Sequence, residues 1–328
     1  GPAQKIVHAH TEDELVEFVK AADKAGEKVL ILGGGSNLLI SDAGFAGTVI
    51  RVESKGNALD YDACSGGMIE VSAGEDWDKF VEQTIEKGFA DLESLSGIPG
   101  TVGGAPIQNI GAYGHEVSET IARVKAYDRK KGEVITFTNE QCHFSYRNSV
   151  FKEDAGRYVI LNVTFQLRKG EMSLPITYAE LANYLSVNLG DRAPVMKVRQ
   201  AVLELRGRKG MLINSSDVNS NSAGSFFVNP ILTKEIADKL PADAPRWPQS
   251  DGRVKTSAAW LMEHAGVNKG EKLAGAQISS KHVLALTNSG DATADNIIEL
   301  AKMARAKVFE KFGIKLEAEV QLVGLDLN

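Results

Sequence analysis

Two glycine-rich stretches carry the first hint of chemistry in this sequence. Gly33-Gly34-Gly35-Ser36-Asn37 follows a short apolar run, Val29 to Leu32, of the kind that forms a strand. Consecutive glycines reach positive φ and leave backbone N–H groups uncovered, and such a nest binds anions such as phosphate. The stretch is not a P-loop, because no Gly-Lys-Ser/Thr follows. It is also a poor Rossmann fingerprint: position 38, where the third glycine belongs, is Leu38, and strand-like residues follow instead of a helix. Taken alone, it fits a tight turn equally well. The second stretch, Ser96 to Gly114, shifts the balance, with glycine at 97, 100, 103, 104, 111 and 114 around Pro99, Pro106, Gln108 and Asn109. A turn between strands has little need of so many. A backbone track against a flat or phosphorylated cofactor does, since side chains would block its approach. Gln108 and Asn109 add amide donors and acceptors suited to a ring edge.

Regular elements must hold these loops. Thr11 to Ala25 reads as a helix, with a capping-box pattern at Thr11 and Glu14, an apolar face of Leu15, Phe18, Val19 and Ala22, and a stop at Gly26. Val29–Leu32, Leu38–Ile40 and Thr48–Val52 read as strands. Trp77, Phe80, Val81, Thr84 and Ile85 mark a second helix ending at Gly88. Strands are expected around Arg123–Asp128 and Tyr158–Leu167, and helix over Thr177 to Leu205, with Pro194 suited to a first turn. Arg206 to Pro230 is polar and aperiodic, so a domain boundary is placed near its start. Thr293 to Phe312 is a clear amphipathic helix stopped by Gly313. A last strand alternates Ile314, Leu316, Ala318, Val320 and Leu322 against Lys315, Glu317, Glu319 and Gln321.

Composition narrows the class. The length of 328 residues favours more than one domain, and 43% hydrophobic with 24% charged residues fits an ordinary globular protein. No apolar run is long enough to span a bilayer. A net charge of −6 gives no basic footprint, which argues against nucleic acid as a partner. Cys64 and Cys142 show no metal-ligand spacing and build no disulfide framework, so a reducing cytoplasm is expected. Histidines 8, 10, 115, 143 and 264 show no ligand spacing, so no metal site is expected, and His282 reads as a surface residue.

The separated blocks Gly33-Gly34-Gly35-Ser36-Asn37-Leu38, Ser96-Gly97-Ile98-Pro99-Gly100, and Pro106-Ile107-Gln108-Asn109-Ile110-Gly111-Ala112-Tyr113-Gly114 resemble the UDP-N-acetylenolpyruvoylglucosamine reductase family. So do Ser145-Tyr146-Arg147, the run from Ser222 to Pro230, and Leu316-Glu317-Ala318-Glu319-Val320. They appear in the family's order along nearly the whole chain. The family usually has residues before Gly1-Pro2-Ala3, so a missing N-terminal segment is expected.

The resemblance implies an α+β architecture. An FAD-binding fold of the vanillyl-alcohol-oxidase (PCMH) type would occupy residues 1–205, in subdomains of about 1–52 and 53–205. A C-terminal α+β substrate-binding domain would occupy 206–328, its last strand returning to the active site. It implies NADPH-dependent reduction of UDP-N-acetylglucosamine enolpyruvate to UDP-N-acetylmuramate through FAD. The first loop would hold the FAD pyrophosphate, and the second, with Gly103 and Gly104, would line the flavin. Ser225 would be the proton donor, although alone it reads as loop punctuation. Arg147 would grip the substrate carboxylate, a task suited to a planar guanidinium that stays charged. Glu319 would work with Arg147 to steady the enol-like intermediate; Glu317, two residues back on the same polar face, has equal standing by periodicity. Tyr146 would lie at the substrate, Tyr178 would cover it as in the family's first subtype, and Lys209 and Asn229 would contact its diphosphate and sugar.

Two rival readings remain open at this level. A flavin oxidase on the same fold would commonly attach FAD through a histidine beside the first loop, but Gly35-Ser36-Asn37 offers neither histidine nor cysteine, so noncovalent FAD is expected. A flavin- or UDP-sugar-binding module would have no need of a proton donor. No obligate protein partner is evident.

Overall fold

The computed structural model describes residues 1–62 and 66–328, and Cys64, one of the two cysteines weighed above, lies outside the described residues. The chain divides into two compact units. The larger holds residues 3–35 and 46–207, the smaller residues 1–2, 36–45 and 208–328. The first glycine loop is therefore divided, Gly33 to Gly35 in the larger unit and Ser36 to Leu38 in the smaller.

In the larger unit the strand Phe45–Val52 lies between Ala3–Ala9 and Val29–Leu32, the last pairing being parallel. The helix Glu12–Lys24 starts where Thr11 Oγ1 accepts the Glu14 N–H at 3.1 Å, carries three acidic residues in its first turn, and buries Leu15, Val19 and Ala22. The expected capping box does not close. Glu14 reaches one residue further back and accepts the His10 N–H at 2.8 Å.

A second sheet orders Glu133–Thr138, Ile121–Asp128, Tyr158–Leu167, Gly66–Ser72 and Asn57–Asp62, all antiparallel. The central strand Tyr158–Leu167 is largely buried on both faces, and the helix Trp77–Glu86 lays Trp77 and Phe80 against its Phe165, ring centroids 5.9 and 5.0 Å away. Trp77 is fully buried and its indole N–H donates to the Leu95 carbonyl at 3.0 Å, so the helix fixes the residue just before the second glycine loop. Truncating such a side chain to alanine costs about 3–5 kcal/mol.

The helix expected over Thr177 to Leu205 is two helices, Ala179–Leu185 and Val195–Arg208. Ser186 ends the first in a left-handed conformation, φ 56°. Arg192 and the Ala193 carbonyl then bond back to Ser173, closing a loop that no helical turn could make.

In the smaller unit Ser222–Ser225, Ala285–Asn288, Ala276–Ile278 and Lys272–Leu273 form a four-stranded sheet. The helix Ala294–Phe312 is capped by Thr293 and Asn296, bonding reciprocally, and the predicted stop Gly313 closes it at φ 67°. It buries Ile297, Leu300, Ala301, Ala304 and Val308 in the core of this unit. The long last strand is not continuous. Residues 317–319 pair with 226–228, then the chain turns, and only Gln321–Val323 forms a strand, parallel to Leu38–Ile40. The change of partner breaks the period of two.

Candidate active site

The glycine stretches meet inside the larger unit. A Cβ on Gly34 would lie 2.8 Å from Gly100 Cα, and one on Gly33 would lie 2.5 Å from Thr101 Oγ1. Gly33 and Gly34 are thus demanded by contact between the loops. Gly103 has a similar reason, since its Cβ would come within 2.6 Å of the Ala73 methyl. Gly104 has none: its nearest neighbour would be Thr101 Oγ1 at 3.9 Å, and it is exposed. Gly97 and Gly100 sit at φ 71° and 119°, open to glycine alone at little cost. A bare backbone track with room above Gly104 fits a flat dinucleotide such as FAD.

The second loop is held from beneath. Asp78 accepts the Gly97 N–H at 2.6 Å and the Arg199 guanidinium through both oxygens, at 2.6 and 3.1 Å. Burial opposes the Asp78 charge, but these donors hold its carboxyl below the usual range. Arg206 donates to the Gly97 carbonyl at 3.1 Å, and burial lowers its pKa. Ser96 is fully buried and its hydroxyl donates to the Glu93 carbonyl. The sequence gives little sign of Asp78, Arg199 or Arg206 in this role, because the partners lie far along the chain on helix faces that read as ordinary solvated ones.

Asn109 departs from expectation. It has no exposed surface; its amide N–H groups go to Glu116 Oε2 at 2.7 Å and the Ser145 carbonyl at 3.1 Å, and its oxygen accepts the Ser118 N–H. This amide braces the loop, and the half-buried Gln108 is the one left for a ring edge.

Arg147 occupies a tight hairpin in which Ser145 and Asn148 exchange both backbone hydrogen bonds. Its φ is 54°, at a turn position usually filled by glycine or asparagine. Its guanidinium donates to the Gly111 carbonyl at 2.7 Å and more weakly to that of Asn109 at 3.4 Å, and stands 5.4 Å from the Tyr146 ring centroid. Lys152 grips the Arg147 carbonyl at 2.9 Å. The larger unit therefore brings Arg147, Tyr146, Asn109 and Gly111 together. Nearby, Tyr178 is 42% exposed and meets the buried Tyr113 ring edge to face, centroids 5.5 Å apart. Burial raises the phenol pKa of both.

The smaller unit brings Ser225, Glu319 and Asn37 together. Ser225 ends a strand that bulges opposite Ala285–Asn288, after Gly224 at φ 75°. No atom lies within 4 Å of a Cβ built on Gly224. The Glu319 N–H donates to the Phe226 carbonyl at 2.8 Å, beside Ser225, and the Glu319 carbonyl accepts from Asn37 Nδ2 at 3.1 Å. Glu317 is exposed and Glu319 is half-buried, so the irregular backbone separates two glutamates that periodicity could not. Asn229 Oδ1 accepts the Ala258 N–H at 2.9 Å, at a helix start.

His282 is not the surface residue expected. It is half-buried, Nδ1 accepts the Leu284 N–H at 3.1 Å, and burial together with the charges of Lys209 and Lys269 pushes its pKa down to about 4. Near neutral pH its proton is therefore on Nε2. Among the described residues no cluster of histidine, cysteine, aspartate and glutamate could hold a metal ion. Cys142 is free and buried, its thiol pushed up to about 12. No described helix is long and apolar enough to cross a membrane.

A bare glycine track on a mixed α and β framework suits the FAD-binding domain of an FAD-dependent oxidoreductase, the class to which the matches assign the chain. Residues 3–138 match the family described as FAD binding domain. Residues 216–323 match UDP-N-acetylenolpyruvoylglucosamine reductase, C-terminal domain. The chain is 49% identical to UDP-N-acetylenolpyruvoylglucosamine reductase of Cutibacterium acnes, over 99% of this chain and 86% of that one. It is 47% identical to the protein of the same name from Streptomyces avermitilis, over 100% and 92%. The crystal structure of UDP-N-acetylenolpyruvylglucosamine reductase from Thermus caldophilus superposes with a TM-score of 0.64 at 25% identity, covering 97% of this chain and 91% of that one. The chain belongs to the UDP-N-acetylenolpyruvoylglucosamine reductase family.

Proposed function

We propose that this protein uses NADPH to reduce UDP-N-acetylglucosamine enolpyruvate to UDP-N-acetylmuramate, a cytoplasmic step of peptidoglycan synthesis, with no obligate protein partner. FAD, held noncovalently by the two glycine loops, would supply hydride-transfer chemistry between NADPH and the enolpyruvyl double bond. The residues do the rest. Gly33 to Gly35, with Ser36, Asn37 and Leu38, hold the pyrophosphate, and Ser96 to Gly100 with Gly103, Gly104, Gln108 and Gly111 to Gly114 line the flavin, their loop braced by Asn109. Arg147 grips the substrate carboxylate, Tyr146 stands beside it, and Tyr178 covers the sugar nucleotide. Lys209 and Asn229 contact its diphosphate and sugar. Ser225 gives a proton to the carbon next to the carboxylate, Arg147 stabilises the negative charge that builds there, and Glu319, in the same unit as Ser225, helps to steady the enol-like intermediate.

The observation that carries this reading is the bond from the Glu319 N–H to the Phe226 carbonyl. It sets Glu319, half-buried, opposite the residue that follows Ser225, and Ser225 is itself preceded by a glycine with open space around it. A serine hydroxyl is a weak acid, so the role suits only a strongly basic centre. Anaerobic stopped-flow absorbance tests the proposal. NADPH should bleach the flavin band, and the enolpyruvyl sugar should restore it with formation of the reduced sugar. Bleaching by NADPH without recovery on adding the sugar would sink it.

A further inference from the structure

The side chain of His115 is bonded at both ring nitrogens to atoms that can only accept. It lies in the short hairpin formed by Gly111–Ala112 and His115–Glu116, at the end of the second glycine loop. Its Nδ1 is 2.8 Å from Glu119 Oε2 and its Nε2 is 3.1 Å from the Pro175 carbonyl. Filling both bonds takes both ring protons, that is, the imidazolium. The side chain is only 10% exposed.

Pro175 belongs to the segment that leads into Tyr178, and that segment is held at several points, on the hairpin and beside it. The Leu174 N–H goes to Glu93 Oε1 at 3.1 Å, and Glu93 is itself buried. Thr177 Oγ1 would be 2.1 Å from a Cβ on Gly114, so the two chains touch there. The Tyr178 ring meets Tyr113, in the hairpin turn two residues before His115.

We propose that His115, as the imidazolium, is a positioning residue that fastens the Tyr178 segment to the second glycine loop and so sets how tightly the sugar nucleotide is covered. This rests on the reading of Tyr178 as the substrate-covering tyrosine. The ionisable groups facing His115 are Glu119, from the turn after its own strand, and Glu93, from beneath; the docked segment presents the Pro175 carbonyl. Burial opposes the charge, but the Glu119 bond and charge, the carbonyl and Glu93 outweigh it, and the pKa rises above the ordinary 6.5. A raised folded pKa means the fastening is complete below about 6.5 and is lost as pH rises through the raised value.

The test uses the FAD-bound enzyme at pH 6 and pH 9. Amide hydrogen exchange over 174–182, corrected for the intrinsic pH effect, reports the fastening; KM for the enolpyruvyl sugar reports its consequence. In the wild type, protection should fall and KM should rise roughly tenfold to a hundredfold at pH 9, the worth of one charge-assisted hydrogen bond. His115→Ala should show the loose state at both pH values. His115→Gln, whose amide can still donate to the Pro175 carbonyl, should restore protection and remove the pH dependence. Glu93→Gln should move the wild-type midpoint to lower pH, a shift that a purely structural role would not give. Equal protection at both pH values in the wild type, or protection in His115→Ala as high as that of the wild type at pH 6, would overturn the proposal. If protection follows this pattern while KM stays flat, the fastening stands and the role of Tyr178 in covering substrate falls instead. Should His115→Ala fail to fold, the glutamine variant and the pH series decide alone.

Discussion

Replacing Gly34 and Gly104 separately by alanine distinguishes the two reasons a loop can need glycine. On Gly34 the new Cβ would stand 2.8 Å from Gly100 Cα and 3.3 Å from Gly100 C. Carbon atoms settle at about 3.5–4.0 Å, so the loops must part by roughly 0.7–1.2 Å. Such overpacking costs about 1–3 kcal/mol. Alanine returns about 0.4–1 kcal/mol by restricting the unfolded chain, leaving a net loss of roughly 1–2 kcal/mol. For a domain of about 150–250 residues that lowers Tm by roughly 2–8 °C. On Gly104 the Cβ meets nothing closer than 3.9 Å and the backbone is not in the left-handed region. Gly104→Ala should therefore leave the apoprotein as stable as wild type or slightly more so.

FAD separates the cases further. Gly34→Ala should lose both apoprotein stability and FAD affinity, because its damage lies in the loop pair itself. Gly104→Ala should lose FAD affinity alone, because only the ligand competes for that space. The assays are thermal unfolding of apoprotein by circular dichroism and titration with FAD followed by flavin fluorescence quenching. An apoprotein Gly34→Ala that melts with wild type would refute the loop contact. Full FAD affinity in Gly104→Ala would refute the claim that the ligand lies over that residue.

Three further outcomes are expected. Arg147→Lys should slow flavin reoxidation by the enolpyruvyl sugar much more than reduction by NADPH in stopped flow, since it keeps the charge and loses the fork; equal slowing of both halves would place Arg147 elsewhere. Ser225→Ala should leave reduction by NADPH intact and slow reoxidation about 10²–10⁴-fold, with Ser225→Cys retaining part of the rate; a wild-type reoxidation rate would remove Ser225 as proton donor. His282 has a folded pKa depressed to about 4 by burial and by Lys209 and Lys269, so its contribution is present above about 6.5 and is lost as pH falls through 4. Urea unfolding should show His282→Gln losing up to about 3 kcal/mol less stability than wild type between pH 7 and pH 4, and parallel pH curves would count against it.

Where an element is governed by its own residues, the sequence displays it. The helices Glu12–Lys24 and Ala294–Phe312 announce their caps, apolar faces and stops, because those signals are local. The two-helix break at 186–194 was hidden by Val187 and Leu189, which continue an apolar pattern, although Gly190 and Pro194 mark the loop in retrospect. Both glycine stretches stood out, yet not the difference between Gly34 and Gly104, which exists only once Gly100 lies against Gly34. Glu317 and Glu319 were equivalent by alternation until residues 317–319 took 226–228 as partner and left Glu319 half-buried. His282 looked solvated because Ser279, Ser280 and Lys281 precede it, although Val283 and Leu284 follow; the charges of Lys209 and Lys269, which help depress its pKa, come from elsewhere in the sequence.

The backbone of the larger unit says which side chains its site requires. Asn109, Tyr113 and Arg147 all have positive φ, at 46°, 50° and 54°. Glycine would take these conformations freely, whereas another residue costs of order 1–3 kcal/mol. Each is held there by something specific. The Asn109 amide is bonded to Glu116, Ser145 and Ser118. Tyr113 is buried against Tyr178. The Ser145–Asn148 hairpin and Lys152 clamp Arg147. Asn109→Gly would relieve the strain but strand a buried Glu116 contact and two backbone groups, each worth about 1–3 kcal/mol when left unpaired, so it should destabilise. Arg147→Gly gives up the bonds to the Gly111 and Asn109 carbonyls and the Tyr146 contact, against relief of strain of order 1–3 kcal/mol. If the proposed role holds, reoxidation by the sugar should fall far more than the melting temperature does. A melting temperature that collapses together with the rate would make Arg147 a residue of the fold and not of the proposed anion site.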